Sequence, residues 1–251
     1  MTSPYILLEN VNLHYSSVAF KERSLKTLLG NILTGNKKKN AVQDVHALKN
    51  INLEVRAGER VGLLGHNGAG KSTFLKMAAD LYPISSGRRI IKGNVRSLFD
   101  LSLGFEPDAT GRENIFYRGL LLGLSPRLLR EIEEEVVAFA DLGEFIDYPI
   151  KTYSAGMQVR LAFAISTAVG GDIMLIDEVI GAGDARFMVK AKKRILDLVE
   201  QAKILVLASH DFSALQTICQ RGVVFHRGEI VFDGEITEAV KTYKRVNGIG
   251  A

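Results

Sequence analysis

Hydrophobic positions in this chain fall into two patterns. Short runs with scarcely a polar side chain, at 60–64, 173–176 and 204–208, read as strands buried on both faces of a sheet. Longer stretches repeat their apolar residues at helical spacing: Leu128, Leu129, Ile132, Val136 and Phe139 share one face, and the charged side spanning 131–135 is the solvated one. Ser125 before Pro126 opens that helix, because the hydroxyl caps free N–H groups and proline suits the first helical position. Further helices are expected at 159–169, 185–200 and 236–246, with a hairpin turning at Arg227-Gly228. Two early strands, 5–13 and 48–55, flank a polar stretch from 16 to 45 that reads as an insertion, with an exposed loop at 37–40. After turn chemistry at 82–87, the apolar run 90–99 reads as one strand. Strands alternating with helices in this order predict an α/β fold on an open sheet.

Composition narrows the picture only slightly. At 251 residues, 47% hydrophobic and 24% charged, the chain is globular in character, which excludes disordered and fibrous classes. A formal net charge of +4 suits an anionic ligand or an acidic membrane surface, but the cations are scattered apart from Lys37-Lys38-Lys39. That basic cluster leaves two readings open, a contact with acidic lipid head groups or a solvated loop. The single cysteine, Cys219, has no intramolecular partner, and no basic-then-apolar segment marks the start, so a reducing cytosolic setting is expected. Nowhere do about 18 apolar residues run together, so no membrane crossing is expected of this chain. It shows neither an internal repeat nor a low-complexity tract.

Chemistry concentrates at the ends of the apolar strands. Gly65-His66-Asn67-Gly68-Ala69-Gly70-Lys71-Ser72 fits the phosphate-loop pattern at every fixed position and lies between a strand and the helix-forming run Ser72-Thr73-Phe74-Leu75. Glycines allow backbone N–H groups to close around phosphate oxygens at a helix start, with Gly65, Asn67, Gly68, Ala69, Gly70 and Thr73 forming the cradle. Lys71 would neutralise the β- and γ-phosphates of a nucleoside triphosphate, and the Ser72 hydroxyl would hold Mg²⁺. The strand at 173–176 ends in Asp177-Glu178; Asp177 is placed to hold the metal and Glu178 to accept a proton from attacking water. His210 follows the apolar strand at 204–208 and is either a γ-phosphate or water-orienting group or an ordinary helix-start histidine. Tyr15, after the first strand, either stacks on a base or packs at the strand end. Ser154, in Tyr153-Ser154-Ala155-Gly156-Met157, sits before a long helical run and offers a second anion-ready helix start, which within one chain is also a plain cap.

In this order and spacing the phosphate loop, the Ser154 segment, the Asp177-Glu178 pair and His210 resemble the motif set of ATP-binding-cassette ATPases, over most of the chain. The resemblance implies a single nucleotide-binding domain over 1–251, with a P-loop NTPase (RecA-like) core sheet flanked by helices, an antiparallel β subdomain and a helical subdomain at about 98–168. It implies ATP and Mg²⁺ as cofactors and a homodimer in which Ser154 and Gly156 contact the γ-phosphate bound to the opposite copy. Asp184, in Gly181-Ala182-Gly183-Asp184, matches the aspartate that communicates across that interface.

Three departures point to a branch. The usual Leu-Ser-Gly-Gly-Gln signature is here Tyr-Ser-Ala-Gly-Met, followed by Gln158, Arg160 and Leu161, and is similar to the ATPase subunits of bacterial exporters of O-antigen, teichoic acid or capsule. The segment from Leu103 to Asn114 resembles that branch and replaces the usual glutamine-bearing loop; Asp100 or Glu106 is a candidate stand-in. The widened region 16–45, with Leu25-Lys26, resembles the same exporters. The implied partners are a separate integral-membrane permease in two copies and a lipid-linked polysaccharide cargo, with no nucleic acid, at the cytoplasmic face of the bacterial inner membrane. No carbohydrate-binding module is expected after the 236–246 helix. The alternatives are another cargo, such as a drug, lipid or peptide, and a soluble cassette ATPase outside transport; the single motif set and the lack of a long heptad run weigh against the latter.

Overall fold

The computed structural model describes residues 3–17, 43–99, 104–177 and 185–249. Its centre is a six-stranded sheet in the order β5-β6-β7-β3-β8-β9, made of β3 (Arg60–Leu64), β5 (Val95–Leu98), β6 (Ile173–Asp177), β7 (Ile204–Ala208), β8 (Arg221–His226) and β9 (Glu229–Glu235). Every pairing in it is parallel except β8 with β9. A smaller antiparallel sheet, β2-β1-β4, joins β1 (Tyr5–Ser17), β2 (Gln43–Arg56) and β4 (Ser86–Lys92).

The unbroken apolar runs are explained by what covers each face. Along β6, Ile173 and Leu175 enter one core while Met174 and Ile176 enter another, because successive side chains point to opposite sides. The first core is closed by the antiparallel sheet and by α1 (Lys71–Ala78) through Phe74, Leu75 and Met77. The second is closed by α5 (Ala185–Gln201), α6 (Phe212–Ile218) and α7 (Ile236–Val246), through Phe187, Ile195, Leu215 and Ala239. Each fully buried aliphatic side chain contributes about 1.5–3 kcal/mol relative to exposure.

A third core is all helical. It lies among α2 (Gly111–Leu121), α3 (Pro126–Ala140) and α4 (Ala155–Thr167), where Ile115, Val136, Leu161 and Ile165 meet. Cations bind the ends of these helices, both from within the layer and from α5 beside the sheet, where carbonyls are free and the dipole is negative. Arg160 Nε donates to Ala140 O at 2.9 Å, and Lys190 Nζ of α5 donates to Phe139 O at 3.1 Å. Arg194 of α5 bonds Thr167 O at 3.1 Å and pairs with Glu135.

Several elements differ from the sequence reading. The run 90–99 is two strands in different sheets: β4 ends at Lys92, and β5 begins at Val95. Between them Asn94 N–H donates to the Asp172 carboxylate at 3.0 Å and Asn94 O accepts from Ile173 N–H at 3.1 Å, which swings the chain from one sheet to the other. The helix expected from 159 starts at Ala155, because the Ser154 hydroxyl caps it by accepting from Met157 N–H at 3.3 Å. The β1–β2 ladder reaches Ser17↔Gln43, taking in positions at both ends of the 16–45 stretch, whose residues 18–42 lie outside the described ones.

Candidate functional site

The phosphate loop joins β3 to α1, and its backbone is shaped by neighbours on two sides. Ala69 N–H donates to His66 O at 3.0 Å, and Phe74 N–H returns to Gly70 O at 2.8 Å as the first helical turn closes. Gly70 sits with φ +115 at the helix cap, where a Cβ would meet Leu48 Cδ2 at 3.2 Å and Ala47 O at 3.3 Å, so a side chain there would push β2 away from the loop. Lys71 is buried, and its ammonium donates to Gly65 O and, at 3.4 Å, to His66 O, which folds the cation back over the loop.

Around this loop opens a cleft of about 560 Å³. Asn67, Gly68, Gly70, Lys71, Ser72 and Thr73 form its floor, and Asp177, His210 and Tyr15 its walls. Asp177 reaches it because β6 pairs in parallel with β7, so that Asp177 stands opposite Ala208, two positions before His210. His210 is held between that strand end and α6, whose first turn is capped by Asp211 Oδ1 accepting from Ser213 N–H at 2.9 Å and Ala214 N–H at 3.1 Å. Tyr15 donates its hydroxyl to Thr73 Oγ1 at 3.1 Å and meets the Tyr82 ring edge-on at 5.5 Å; burial pushes its phenol above the usual range. The tyrosine is thus both strand-end packing and part of the cleft wall.

Charge and donor chemistry define what the cleft can accept. Lys71 and Arg227 bring permanent positive charge to its lining, and Asp177 brings a carboxylate. With backbone N–H groups at the start of α1, that is a receptor for a polyphosphate. Ser72 and Asp177 present hard oxygen donors in the same space, which fits Mg²⁺ shared with phosphate oxygens and water. Among the described residues no group of three or more His, Cys, Asp or Glu forms a cage that would hold a metal by protein alone.

Gly65 and Ala69 belong to the loop: a Cβ on Gly65 would meet the Ala69 Cβ at 3.0 Å, and Ala69 is fully buried. Ser154 and Gly156 stand apart from the cleft of their own chain. Ser154 is exposed at the start of α4, and a Cβ on Gly156 would touch nothing nearer than the Ser154 hydroxyl at 4.0 Å. Glu178 and Asp184 lie outside the described residues, as do Asp100 and Leu103. Glu106 lies at the foot of α2, where its N–H donates to Asn114 Oδ1 at 2.7 Å, and it is not among the cleft residues.

His46, Ala47, Arg227 and Gly228 also line the cleft and were not legible as site residues. Arg227-Gly228 announces only a turn; Gly228 N–H donates to Ala69 O at 2.9 Å and Gly228 O accepts from Lys49 N–H at 2.8 Å, which brings the hairpin tip over the loop. His46 Nε2 is 2.9 Å from Asn12 Oδ1, and its ring stacks on His14 with centroids 3.9 Å apart. No local pattern marks either contact, since both depend on strands far apart in sequence.

Comparison with known proteins places this geometry. The ABC transporter family profile matches residues 48–181. The chain is 42% identical over 224 residues to the O-antigen export system ATP-binding protein RfbE of Yersinia enterocolitica, covering 88% of this chain and 93% of that one. It is 34% identical to the teichoic acids export ATP-binding protein TagH of Shouchella clausii, over 96% of this chain and 66% of that one. Against the O-antigen export protein RfbB of Myxococcus xanthus it is 38% identical and spans only 51% of the relative's length. Among solved structures, the ATP-binding cassette MJ0796, seen as a dimer with ADP and Pi, superposes with a TM-score of 0.65 at 22% identity, over 92% of this chain and 98% of that one.

Proposed function

The chain belongs to the ABC transporter family of ATP-binding subunits, and from that premise we propose that it powers export of a lipid-linked, O-antigen-like polysaccharide through a separate membrane permease. ATP hydrolysis is the reaction, with chemistry that is mostly positioning and charge stabilisation. Lys71 and the N–H groups of the phosphate loop hold the β- and γ-phosphates, and Tyr15 meets the base. Ser72 and Asp177 would hold Mg²⁺, which when bound neutralises charge on the phosphate oxygens. Glu178 takes the proton of the attacking water, and His210 orients that water against the γ-phosphate. Ser154 and Gly156 of one copy close over the γ-phosphate held by the other, and Asp184 relays between the two sites.

The observation that carries this reading is the convergence of Lys71, Ser72, Asp177, His210 and Tyr15 on one cleft while Ser154 is exposed and outside its lining. Although its own Ser154 hydroxyl caps it, the exposed start of α4 keeps further N–H groups open to an anion brought by a second copy. Among the described residues no helix is long and apolar enough to cross a membrane. In the proposed assembly the pathway belongs to the permease, with this subunit seated on its cytoplasmic side. The teichoic acid exporters among the relatives favour that polymer as the second reading of the cargo.

The test is reconstitution of the chain with its permease in liposomes. Lipid-linked glycan is expected to stimulate ATP hydrolysis and to appear on the far leaflet. Stimulation by a drug, peptide or simple lipid, with none by glycan, would replace the cargo assignment.

A further inference from the structure

Arg227 lines the nucleotide cleft from the tip of the β8–β9 hairpin. His226 and Glu229 are paired across the two strands, so Arg227-Gly228 is a two-residue loop, and its φ values of +49 and +85 are those of a type I′ turn. Such a turn favours Asn, Asp or Gly at its first position, because a larger side chain crowds the backbone in the left-handed region. Arginine is a poor residue for the turn itself, which directs attention to what its guanidinium does. The nearby charges are already matched: Glu229 lies 3.9 Å from Lys49 Nζ. Arg227 is exposed and takes part in no hydrogen bond or ion pair among the described residues.

The hairpin tip is held from three sides. Gly228 N–H donates to Ala69 O at 2.9 Å, Gly228 O accepts from Lys49 N–H at 2.8 Å, and the His226 ring meets His66 edge-on at 5.5 Å. A Cβ on Gly70 would lie 3.5 Å from Gly228 Cα, and one on Gly228 would lie 3.6 Å from His46 O. The tip therefore sits between the residue that precedes Lys71 and the β2 wall, where Val45 stands opposite Tyr15. With the β- and γ-phosphates on Lys71 and the base at Tyr15, the part of the nucleotide between them is the ribose and the α-phosphate. Of these only the phosphate is anionic, and a guanidinium fork matches its two free oxygens. We propose that Arg227 binds the α-phosphate of the nucleotide, a contact that the hairpin adds to the phosphate loop. This rests on the reading of the cleft as an ATP site. Because ATP and ADP share that phosphate, the contact strengthens both equally and holds the nucleotide before and after hydrolysis.

The experiment titrates ATP and ADP into wild type, Arg227→Asn and Arg227→Lys by calorimetry, without Mg²⁺ so that ATP is not turned over, and records each unfolding temperature. Arg227→Asn puts a residue that suits the turn in place of the cation, so it should unfold at the same temperature or higher. Its affinity for ATP and for ADP should fall by the same factor, about tenfold, the effect of losing a charge-assisted hydrogen bond. Arg227→Lys should give an intermediate affinity, since it keeps the charge and loses the fork. Replacing an α-phosphate oxygen of ADP by sulfur, a poor hydrogen-bond acceptor, should weaken binding to wild type in one of the two diastereomers and matter less to Arg227→Asn. Unchanged ADP affinity in Arg227→Asn overturns the proposal, and so does a loss confined to ATP, which would put the arginine at the γ-phosphate. A sulfur effect equal in the two proteins overturns the assignment to the α-phosphate. A fall in unfolding temperature that accounts for the lost affinity would leave Arg227 as a turn residue only. A wild-type chain that binds neither ATP nor ADP removes the reading of the cleft itself, an outcome distinguishable from failure at Arg227.

Discussion

Gly228 donates its backbone N–H to the Ala69 carbonyl at 2.9 Å, and this bond fastens the tip of the β8–β9 hairpin to the phosphate loop. Gly228 has φ +85, and a Cβ there would lie 2.6 Å from Ala47 O. Gly228→Ala is therefore expected to lower stability by about 1–3 kcal/mol and to weaken ATP binding by moving the loop. Denaturant unfolding and nucleotide titration of the variant check both effects. Wild-type values in both would show that the hairpin is not part of the site.

What the sequence revealed of this site follows from the range of the interactions involved. The phosphate loop, Asp177 and His210 were readable because each sits where an apolar strand ends, and a parallel sheet brings such ends to one edge. Arg227, Gly228 and His46 were not, because their place depends on which distant strands pair. The division of 90–99 was hidden for the same reason: Ile90, Ile91, Val95 and Leu98 look continuous, and only the bonds of Asn94 to Asp172 and Ile173 separate the two sheets. Ser154 was legible as a cap, and the structure adds that it is exposed and does not line its own chain's cleft.

Asn114 is fully buried at the start of the helical layer and staples the loop before α2. Its Oδ1 accepts from Glu106 N–H at 2.7 Å, and its Nδ2 donates to Glu106 O at 3.0 Å and Thr110 O at 2.8 Å. Asn114→Ala should cost about 1–3 kcal/mol of stability by orphaning those backbone groups. Nucleotide affinity should hold, since Asn114 does not line the cleft, and parallel unfolding and binding curves separate the two effects.

Burial pushes the Cys219 thiol from its ordinary 9.0 up to about 12, so the folded state favours the neutral thiol. An acid whose folded pKa is raised contributes its stabilisation fully below the unfolded pKa and loses it as pH rises through the folded one. Stability carried by Cys219 is thus complete below about pH 9 and declines toward pH 12. Alkylation at pH 8 should be slow in the native protein and fast after unfolding. Rapid native labelling would contradict the buried placement.

Ser154→Arg places a bulky cation at an exposed helix start outside the chain's own cleft. Hydrolysis should fall to background while ATP affinity of the isolated subunit stays at the wild-type value. Equilibrium binding of a fluorescent ATP analogue, set beside steady-state turnover, distinguishes this from a collapse in affinity, which would place Ser154 in its own chain's site.

The central claim is a composite site made by two copies around ATP, and the mass of Glu178→Gln in solution with and without ATP and Mg²⁺ tests it most directly. Removing the base while keeping the side-chain shape should leave nucleotide bound and unhydrolysed, so a shift from monomer to dimer on adding ATP and Mg²⁺ is predicted. A Glu178→Gln protein saturated with ATP that stays monomeric would contradict the composite site.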